Sequence, residues 1–150
     1  AMCKLHDYGL VDVIYKVVEK NTPFLGICLG LQLMFESSEE TPGVEGLGIL
    51  KGKIVKIPEN GDLKIPHMGW NSLHFQNEGR LFANLPQDSY VYFVHSYYLQ
   101  AEDETIVKAT TDYSTCIHAS VEKDNVFACQ FHPEKSSDVG LTILKNFCEL

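Results

Sequence analysis

Hydrophobic and polar positions along the 150-residue chain divide it into predicted helices and strands. Residues 1–20 carry apolar side chains at helical spacing and predict one helix that ends before Asn-Thr-Pro at 21–23. The apolar run 23–27 predicts a buried strand, and residues 29–36 return to helical spacing. β-Branched and aromatic residues predict strands at 47–57, 90–98, 105–111, 116–122 and 126–131. A last helix is predicted after a polar cap at 136–138.

The order of these elements indicates an α/β protein. Residues 37–46 form a polar loop in which Glu39 and Glu40 are expected to be solvated, and residues 64–75 follow no regular period. The chain has no internal repeat, low-complexity segment or linker-like composition. One domain over residues 1–150 is therefore expected.

Composition narrows the classes of partner. A formal net charge of −8 argues against nucleic acid and anionic membrane as partners. No apolar run has the length of a membrane span, and we expect no signal peptide at the start of the chain. The five cysteines lack a Cys-x-x-Cys pair, which predicts reduced thiols in a cytoplasmic protein. Four of them are expected to pack on apolar faces: Cys3, Cys116, Cys129 and Cys148.

Cys28 lies where the predicted strand meets the predicted helix, between Gly26 and Gly30. Glycines on both sides permit a sharp turn, as in the nucleophile elbows that display a reactive side chain. A helix N-terminus favours a thiolate by at most about 2 kcal/mol, which leaves much of an ordinary thiol protonated. Cys28 is therefore predicted to be a nucleophile that needs a base. The alternative is a buried structural thiol.

A second group of chemically active residues follows the last predicted strand, in Gln-Phe-His-Pro-Glu at 130–134. His132 and Glu134 stand at a strand end, where α/β proteins place catalytic groups, and Pro133 restricts the backbone between them. We expect the Glu134 carboxylate to orient one imidazole nitrogen and to leave the other for Cys28. The prediction is a Cys28–His132–Glu134 triad.

Both motifs resemble a known family. Gly-Ile-Cys-Leu-Gly-Leu-Gln at 26–32, together with Gln-Phe-His-Pro-Glu, is similar to the class I (triad) glutamine amidotransferases. Within that family, Pro-His-Met-Gly-Trp-Asn at 66–71 and Tyr-Phe-Val-His-Ser-Tyr at 92–97 resemble the glutaminase subunit of imidazole glycerol phosphate synthase. The resemblance covers essentially the whole chain. It implies a three-layer, flavodoxin-like α/β fold with a mixed central sheet.

The resemblance implies hydrolysis of glutamine without a metal or another cofactor. Cys28 would attack the side-chain amide, His132 would carry the proton to the departing ammonia, and Glu134 would orient His132. A glutamyl thioester would form and water would hydrolyse it. Glutamine is the implied substrate.

Five residues are implied in binding that glutamine: Leu29, Gln32, His95, Ser96 and Tyr97. The backbone N–H of Leu29 would stabilise the oxyanion of the tetrahedral intermediate. Gln32 would act through its side chain, the alternative being an ordinary glutamine on a helix surface. For residues 95–97, binding through backbone groups is an equal alternative to binding through side chains.

The resemblance also implies a partner, a (β/α)₈ cyclase subunit that forms a heterodimer with the chain. This partner would use the ammonia to make imidazole glycerol phosphate in histidine biosynthesis. Free ammonia would be protonated in water, so a dry passage between the two sites is expected. Four residues are predicted at the interface, where Trp and Met are enriched: His67, Met68, Trp70 and Asn71. The alternative for Trp70 is a place in the core.

The chain departs from the family at its start. The family begins with a strand, a helix and a Pro-Gly-Val-Gly loop that carries a second oxyanion donor, whereas Ala1-Met2 matches the helix after that loop. A domain that is partial at its N-terminus, with an exposed strand edge and poor glutaminase activity, is therefore expected. Two other functions stay open: ammonia supply to another biosynthetic synthetase, and a catalytically impaired fragment that retains only partner binding. A thiol hydrolase or peptidase is disfavoured by Gln32 and the His-Pro-Glu motif.

Overall fold

Four α-helices and ten strands form the fold of the computed structural model, which describes all 150 residues. The helices are α1 (Met2–Asp7), α2 (Leu10–Glu19), α3 (Leu29–Leu33) and α4 (Ser137–Cys148). The strands are β1 (Phe24–Ile27), β2 (Ser37–Ser38), β3 (Gly52–Lys56), β4 (His67–Ser72), β5 (His74–Phe75), β6 (Tyr90–His95), β7 (Tyr97–Ala101), β8 (Val107–Tyr113), β9 (Thr115–Lys123) and β10 (Val126–Cys129). None of the helices combines the length and the hydrophobicity needed to cross a membrane.

The strands form one large sheet and two small ones. The large sheet has the order β1-β10-β9-β8-β5, in which β1 is parallel to β10 and the other pairs are antiparallel. The small sheets have the orders β2-β3-β7 and β4-β6. The expected α/β fold with a mixed central sheet is thus confirmed.

The hydrophobic core lies on both faces of β10, all four residues of which are buried. Val126 and Ala128 belong to a cluster that includes Leu31 of α3, whereas Phe127 and Cys129 belong to a cluster that includes Ile143 of α4. Successive side chains of a strand point to opposite faces, so one strand can serve both clusters. Helices therefore cover the sheet from two sides, which is the predicted three-layer arrangement.

Several predicted elements have different bounds in the structure. The predicted helix over residues 1–20 is two helices, because Gly9 adopts a left-handed conformation with φ of 67° between them. The helix predicted over residues 29–36 ends at Leu33, and the strand predicted at 47–57 is limited to β3. The stretch 64–75, which shows no period in the sequence, contains β4 and β5, and β4 has its hydrogen-bond partner in β6. A strand of this kind is specified by its partner more than by its own pattern.

The cysteines are all free, and only one of the four expected packing thiols is buried. Cys129 lies in the core, whereas the other three are exposed: Cys3, Cys116 and Cys148. The prediction was wrong for these three, because an apolar neighbourhood in sequence does not decide which face of an element meets the core. No cluster of His, Cys, Asp and Glu side chains has an arrangement that would hold a metal ion.

Gly140 provides a test of how α4 supports the loop at residues 132–136. A Cβ added at Gly140 would lie 1.8 Å from the Pro133 carbonyl oxygen, a backbone atom. We predict that Gly140→Ala lowers the free energy of unfolding by about 1–3 kcal/mol, because the backbone of either α4 or Pro133 must move to make room for the added methyl group. The matched control is Gly30→Ala in α3, whose added Cβ has no atom within 4 Å and should cost nothing. Urea unfolding curves measure both, and equal midpoints would contradict the packing described here.

Candidate active site

Cys28 occupies a sharp turn between β1 and α3. Its backbone φ of 51° and ψ of −103° is a conformation that residues other than glycine rarely adopt. The Cys28 N–H donates a hydrogen bond of 2.8 Å to the Cys129 carbonyl, which continues the pairing of β1 with β10. A Cβ on Gly26 would lie 2.8 Å from the carbonyl carbon of Gly30, so the close approach requires glycine. The predicted elbow geometry is therefore present, and residue 28 is held beside β10.

The Cys28 thiol is half-buried among neutral groups. Its Sγ donates to the Val94 carbonyl at 4.0 Å and accepts from the Gln130 side-chain amide at 3.7 Å. Burial raises the pKa of Cys28 above its ordinary value, because a buried thiolate loses solvation; hydrogen bonds from the Leu29 N–H and from Gln130 act in the opposite direction. The thiol is thus neutral at neutral pH, and a nucleophilic role would require a base.

His132 and Glu134 are in direct contact. His132 Nδ1 lies 2.6 Å from Glu134 Oε1, which leaves Nε2 free of that carboxylate. The loop at residues 132–136 is bonded to β6, because the His132 N–H donates to the Tyr92 carbonyl at 3.0 Å. The fully buried Ser136 hydroxyl adds a second connection, since it accepts from the Tyr92 N–H and donates to the His132 carbonyl. No hydrogen bond joins the His132 ring to Cys28 Sγ. The structure therefore holds His132 and Glu134 of the predicted triad in contact, whereas Cys28 makes no hydrogen bond to either of them.

A cavity of about 210 Å³ opens at Cys28. Its lining contains every residue predicted to bind glutamine: Leu29, Gln32, His95, Ser96 and Tyr97. Val94 and Glu40 complete the wall. The volume is below the range of about 300–1,000 Å³ that is usual for drug-sized ligands, so the cavity suits a small metabolite. A larger cavity of about 750 Å³ near Arg80 contains none of the predicted site residues.

The side chains of Gln32 and His95 are already bonded to protein groups. Gln32 Nε2 donates to the Tyr97 carbonyl at 3.2 Å and to Gln130 Oε1 at 3.1 Å, so both amide hydrogens are used and Oε1 is left as an acceptor. His95 Nδ1 donates to the Tyr97 carbonyl at 2.8 Å, and His95 Nε2 lies 3.0 Å from His67 Nδ1. No ring nitrogen of His95 is therefore free for a ligand.

Two residues of this site were missed from the sequence. Gln130 is fully buried and joins Gln32 to Cys28, and its polar side chain inside the apolar run 126–131 was a signal that could have been used. Glu40, expected to be only a solvated loop residue, lines the cavity. Nothing local in the sequence indicates this, because the course of the loop over residues 37–46 decides it.

The four residues predicted at a partner interface occupy two faces of β4. Met68 and Trp70 are 62% and 53% exposed and project outward. His67 is 2% exposed, and Asn71, on the same face as His67, is half-buried. The His67 side chain lies beneath the strand, which corrects its place in the predicted contact surface. The outward pair on β4 is Met68 and Trp70.

A family model matches this chain. The model described as glutamine amidotransferase class-I matches residues 7–150. Its match includes Cys28, His132 and Glu134 and both motifs that contain them. Nearly the whole chain therefore carries the pattern of this family.

Curated relatives and solved structures agree with that match. Imidazole glycerol phosphate synthase subunit HisH of Aquifex aeolicus is 51% identical over 147 residues, which cover 98% of this chain and 70% of that protein. The subunit of the same name from Moorella thermoacetica is 48% identical over 150 residues, covering 100% and 70%. A crystal structure of a glutamine amidotransferase superposes with a TM-score of 0.67 at 20% identity, covering 96% of this chain and 71% of that one. The last similarity concerns the fold alone.

The environment of the thiol predicts its reactivity. With iodoacetamide, alkylation of Cys28 should continue to accelerate above the pH at which an ordinary thiol is fully ionised, because burial raises its pKa. Gln130→Leu should slow alkylation at pH 8 by about 2–10-fold, because the thiolate loses one donor. Peptide mass spectrometry gives the rate at each cysteine.

The exposed Cys116 in the same sample is the internal reference for this measurement. The control variant is Gln76→Leu, whose amide bonds Thr110 and not Cys28. An unchanged Cys28 rate in Gln130→Leu would contradict the hydrogen bond to sulfur.

Proposed function

The chain belongs to the class-I glutamine amidotransferase family, and we infer that it hydrolyses glutamine to glutamate and ammonia. Its relatives near 50% identity are named as subunits of imidazole glycerol phosphate synthase. The ammonia accordingly goes to a cyclase subunit in histidine biosynthesis. The observation that best supports this function is the small cavity, which is lined by both Cys28 and Gln32.

In our proposal Cys28 is the nucleophile, His132 the proton carrier and Glu134 its positioning partner. Glu134 occupies Nδ1 of the imidazole at 2.6 Å, so Nε2 is the nitrogen that would take the thiol proton. The thiolate then attacks the side-chain amide carbon, and the imidazolium gives its proton to the departing nitrogen. Water hydrolyses the thioester. The missing bond between Cys28 and His132 is compatible with these roles, because catalytic hydrogen bonds often tighten only when substrate binds.

The cavity wall supplies groups that suit a free amino acid. Glu40 and the unused Oε1 of Gln32 are acceptors for an α-ammonium group, and the Glu40 carboxylate adds the opposite charge. The Leu29 N–H, which acts to lower the pKa of the Cys28 thiol, is the proposed donor to the oxyanion. The backbone of Ser96 and Tyr97 would contact the rest of the substrate. These assignments account for selection of glutamine over simple amides.

We propose that the partner is a (β/α)₈ cyclase subunit that forms a heterodimer through the outer face of β4. Met68 and Trp70 expose more than half of their surface there. Large apolar side chains on a strand exterior are typical anchors of protein interfaces. We also propose a cytoplasmic location, because the exposed free thiols Cys3, Cys116 and Cys148 suit a reducing compartment.

A second candidate function is partner binding with little hydrolysis by the isolated chain. The neutral thiol and the missing bond to His132 support it. Glutamate release measured with and without an excess of cyclase partner separates the two candidates. Release only with the partner supports activation within the complex, and none in either case leaves binding alone.

The triad assignment makes a graded prediction for turnover in the complex. Cys28→Ser should lower glutamate release by at least about 10³-fold, because the nucleophile is lost. His132→Ala should have a comparable effect, and Glu134→Gln a smaller loss of about 10²–10⁴-fold, because the imidazole keeps its place but loses the charge that stabilises its protonated form. His74→Ala is the control. Full activity in either Cys28 or His132 variant would refute the mechanism.

The outer face of β4 can be tested by affinity. Trp70→Ala should weaken association with the cyclase subunit by about 10-fold or more, because central aromatic residues contribute most to an interface. Tyr8→Ala is the matched control, since Tyr8 is 71% exposed and lies outside β4. Isothermal titration measures both dissociation constants. Equal weakening by both substitutions would argue against β4 as the docking face.

A further inference from the structure

Two buried histidines face each other at the cavity, and one of them, His95, is part of its wall. His67 of β4 and His95 of β6 are directly opposite in the antiparallel pairing, and they are 2% and 6% exposed. His67 Nδ1 lies 3.0 Å from His95 Nε2. The function inferred above leaves this pair without a role, although buried histidines of this kind need a specific arrangement of protons.

Hydrogen-bond partners at both ends determine where the protons lie. The Tyr97 carbonyl can only accept, so His95 Nδ1 carries a hydrogen. At the other end, Asn71 has its amide orientation set by the Ser72 N–H at its Oδ1 and by the Asp112 carbonyl at its Nδ2, so Nδ2 donates to His67 Nε2 at 3.3 Å. His67 Nε2 is therefore an acceptor.

Only one arrangement satisfies every contact of the pair. His67 Nδ1 carries the hydrogen and donates to His95 Nε2, and both rings are neutral. An additional proton on either ring would place a donor against a donor, at Asn71 Nδ2 or between the rings. The chain of donors runs in one direction, from Asn71 through His67 and His95 to the Tyr97 carbonyl. No buried side-chain nitrogen or oxygen of the protein lacks a partner, which agrees with this arrangement.

The surroundings of the pair are aromatic and uncharged. His67 is stacked between Phe93 of β6, at 4.7 Å between ring centroids, and Tyr113 of β8, at 4.0 Å. Tyr113 is the titratable side chain of β8 that packs on the pair, while the carboxylate of Asp112 lies against His74 instead. Burial lowers the pKa of both His67 and His95 to about 4, and each ring is thus neutral at physiological pH.

The Tyr97 carbonyl, which is the last acceptor in this series of hydrogen bonds, also accepts a bond from a residue of the cavity wall. The Tyr97 oxygen accepts from His95 Nδ1 at 2.8 Å and from Gln32 Nε2 at 3.2 Å. Gln32 in turn bonds Gln130, which bonds the Cys28 sulfur. The position of this one carbonyl therefore affects both Gln32 and the backbone of the segment that lines the cavity.

We propose that His67 and His95 are positioning residues for substrate binding, which hold the Tyr97 carbonyl and through it the Gln32 amide, and which act only while both rings are neutral. The proposal rests on the proposed function for the identity of the substrate. It assigns neither ring to the chemical step, because both nitrogens of His95 are bonded within the protein and His67 does not line the cavity.

The direct test is the affinity for glutamine of the inactive Cys28→Ser variant, measured in complex with the cyclase subunit. His67→Phe keeps a flat ring between Phe93 and Tyr113 but removes the donor to His95. It should raise the dissociation constant of glutamine by about 10-fold, because His95 loses a buried partner and Tyr97 its fixed position. Iodoacetamide alkylation of Cys28, measured in the unsubstituted background, should change less than twofold. His74→Phe is the matched control, because His74 does not belong to the hydrogen-bond series from Asn71 to Tyr97. This substitution should leave the affinity for glutamine unchanged.

Nitrogen-15 NMR of the histidine rings tests the pair without any reference to glutamine. At pH 7 both His67 and His95 should show a hydrogen on Nδ1 and none on Nε2, and they should keep this pattern down to pH 5. The unfolding free energy supplies a second readout. The unfolded chain takes up protons near the ordinary imidazole pKa of 6.5 and the folded pair only near 4, so stability falls as the pH drops between these values. His67→Phe removes one such site and should make this slope shallower.

The outcomes separate this proposal from the proposed function. If Cys28→Ser does not bind glutamine at all, the proposed function fails, and the NMR pattern still decides whether the neutral pair exists. If it binds glutamine and the folded His67→Phe variant binds equally well, the positioning role is overturned. An Nε2-protonated or charged ring at pH 7 would overturn it as well.

Discussion

The parallel pairing of β1 with β10 is the constraint on which the site depends. It places Cys28 beside Cys129 although they are about a hundred residues apart in sequence, and the 2.8 Å bond between their backbones marks the end of the ladder. Both strands end at the same edge, so the turn after β1 and the loop after β10 emerge together. The cavity, the thiol and the His132–Glu134 contact all lie at this edge. The strand order of the sheet therefore brings these two segments together, whichever side chains they carry.

Burial has opposite consequences for the groups around Cys28. It raises the pKa of the thiol and so works against a ready-made nucleophile. Burial also makes an unpaired polar group costly, so each buried polar side chain near Cys28 is hydrogen-bonded. The result is a connected set of hydrogen bonds between neutral groups that includes Gln130 and Gln32. The site is thus well ordered, but the Cys28 thiol is not activated in the structure. Activation would have to come from substrate or from a partner.

β4 shows how one strand can serve two purposes. Its outward residues Met68 and Trp70 form an exposed apolar pair, while its inward residue His67 joins a buried chain that ends at the cavity wall. The period of two residues along a strand separates these roles without any insertion. Substitutions at adjacent positions of β4 should therefore have different kinds of effect.

The sequence alone was sufficient for the family, the α/β class, the elbow at Cys28 and the His-Pro-Glu loop, because each depends on residues that are close in the chain. The sequence also indicated five residues of the cavity wall, although only through a resemblance: Leu29, Gln32, His95, Ser96 and Tyr97. Three features depended on tertiary structure: the inclusion of Glu40 in the cavity, the burial of His67, and the exposure of Cys3, Cys116 and Cys148. Each of these is decided by which element packs on which face, and strands such as β4 acquire that information from a partner far along the chain. Local patterns specify what a segment can form, whereas long-range pairing decides what its side chains meet.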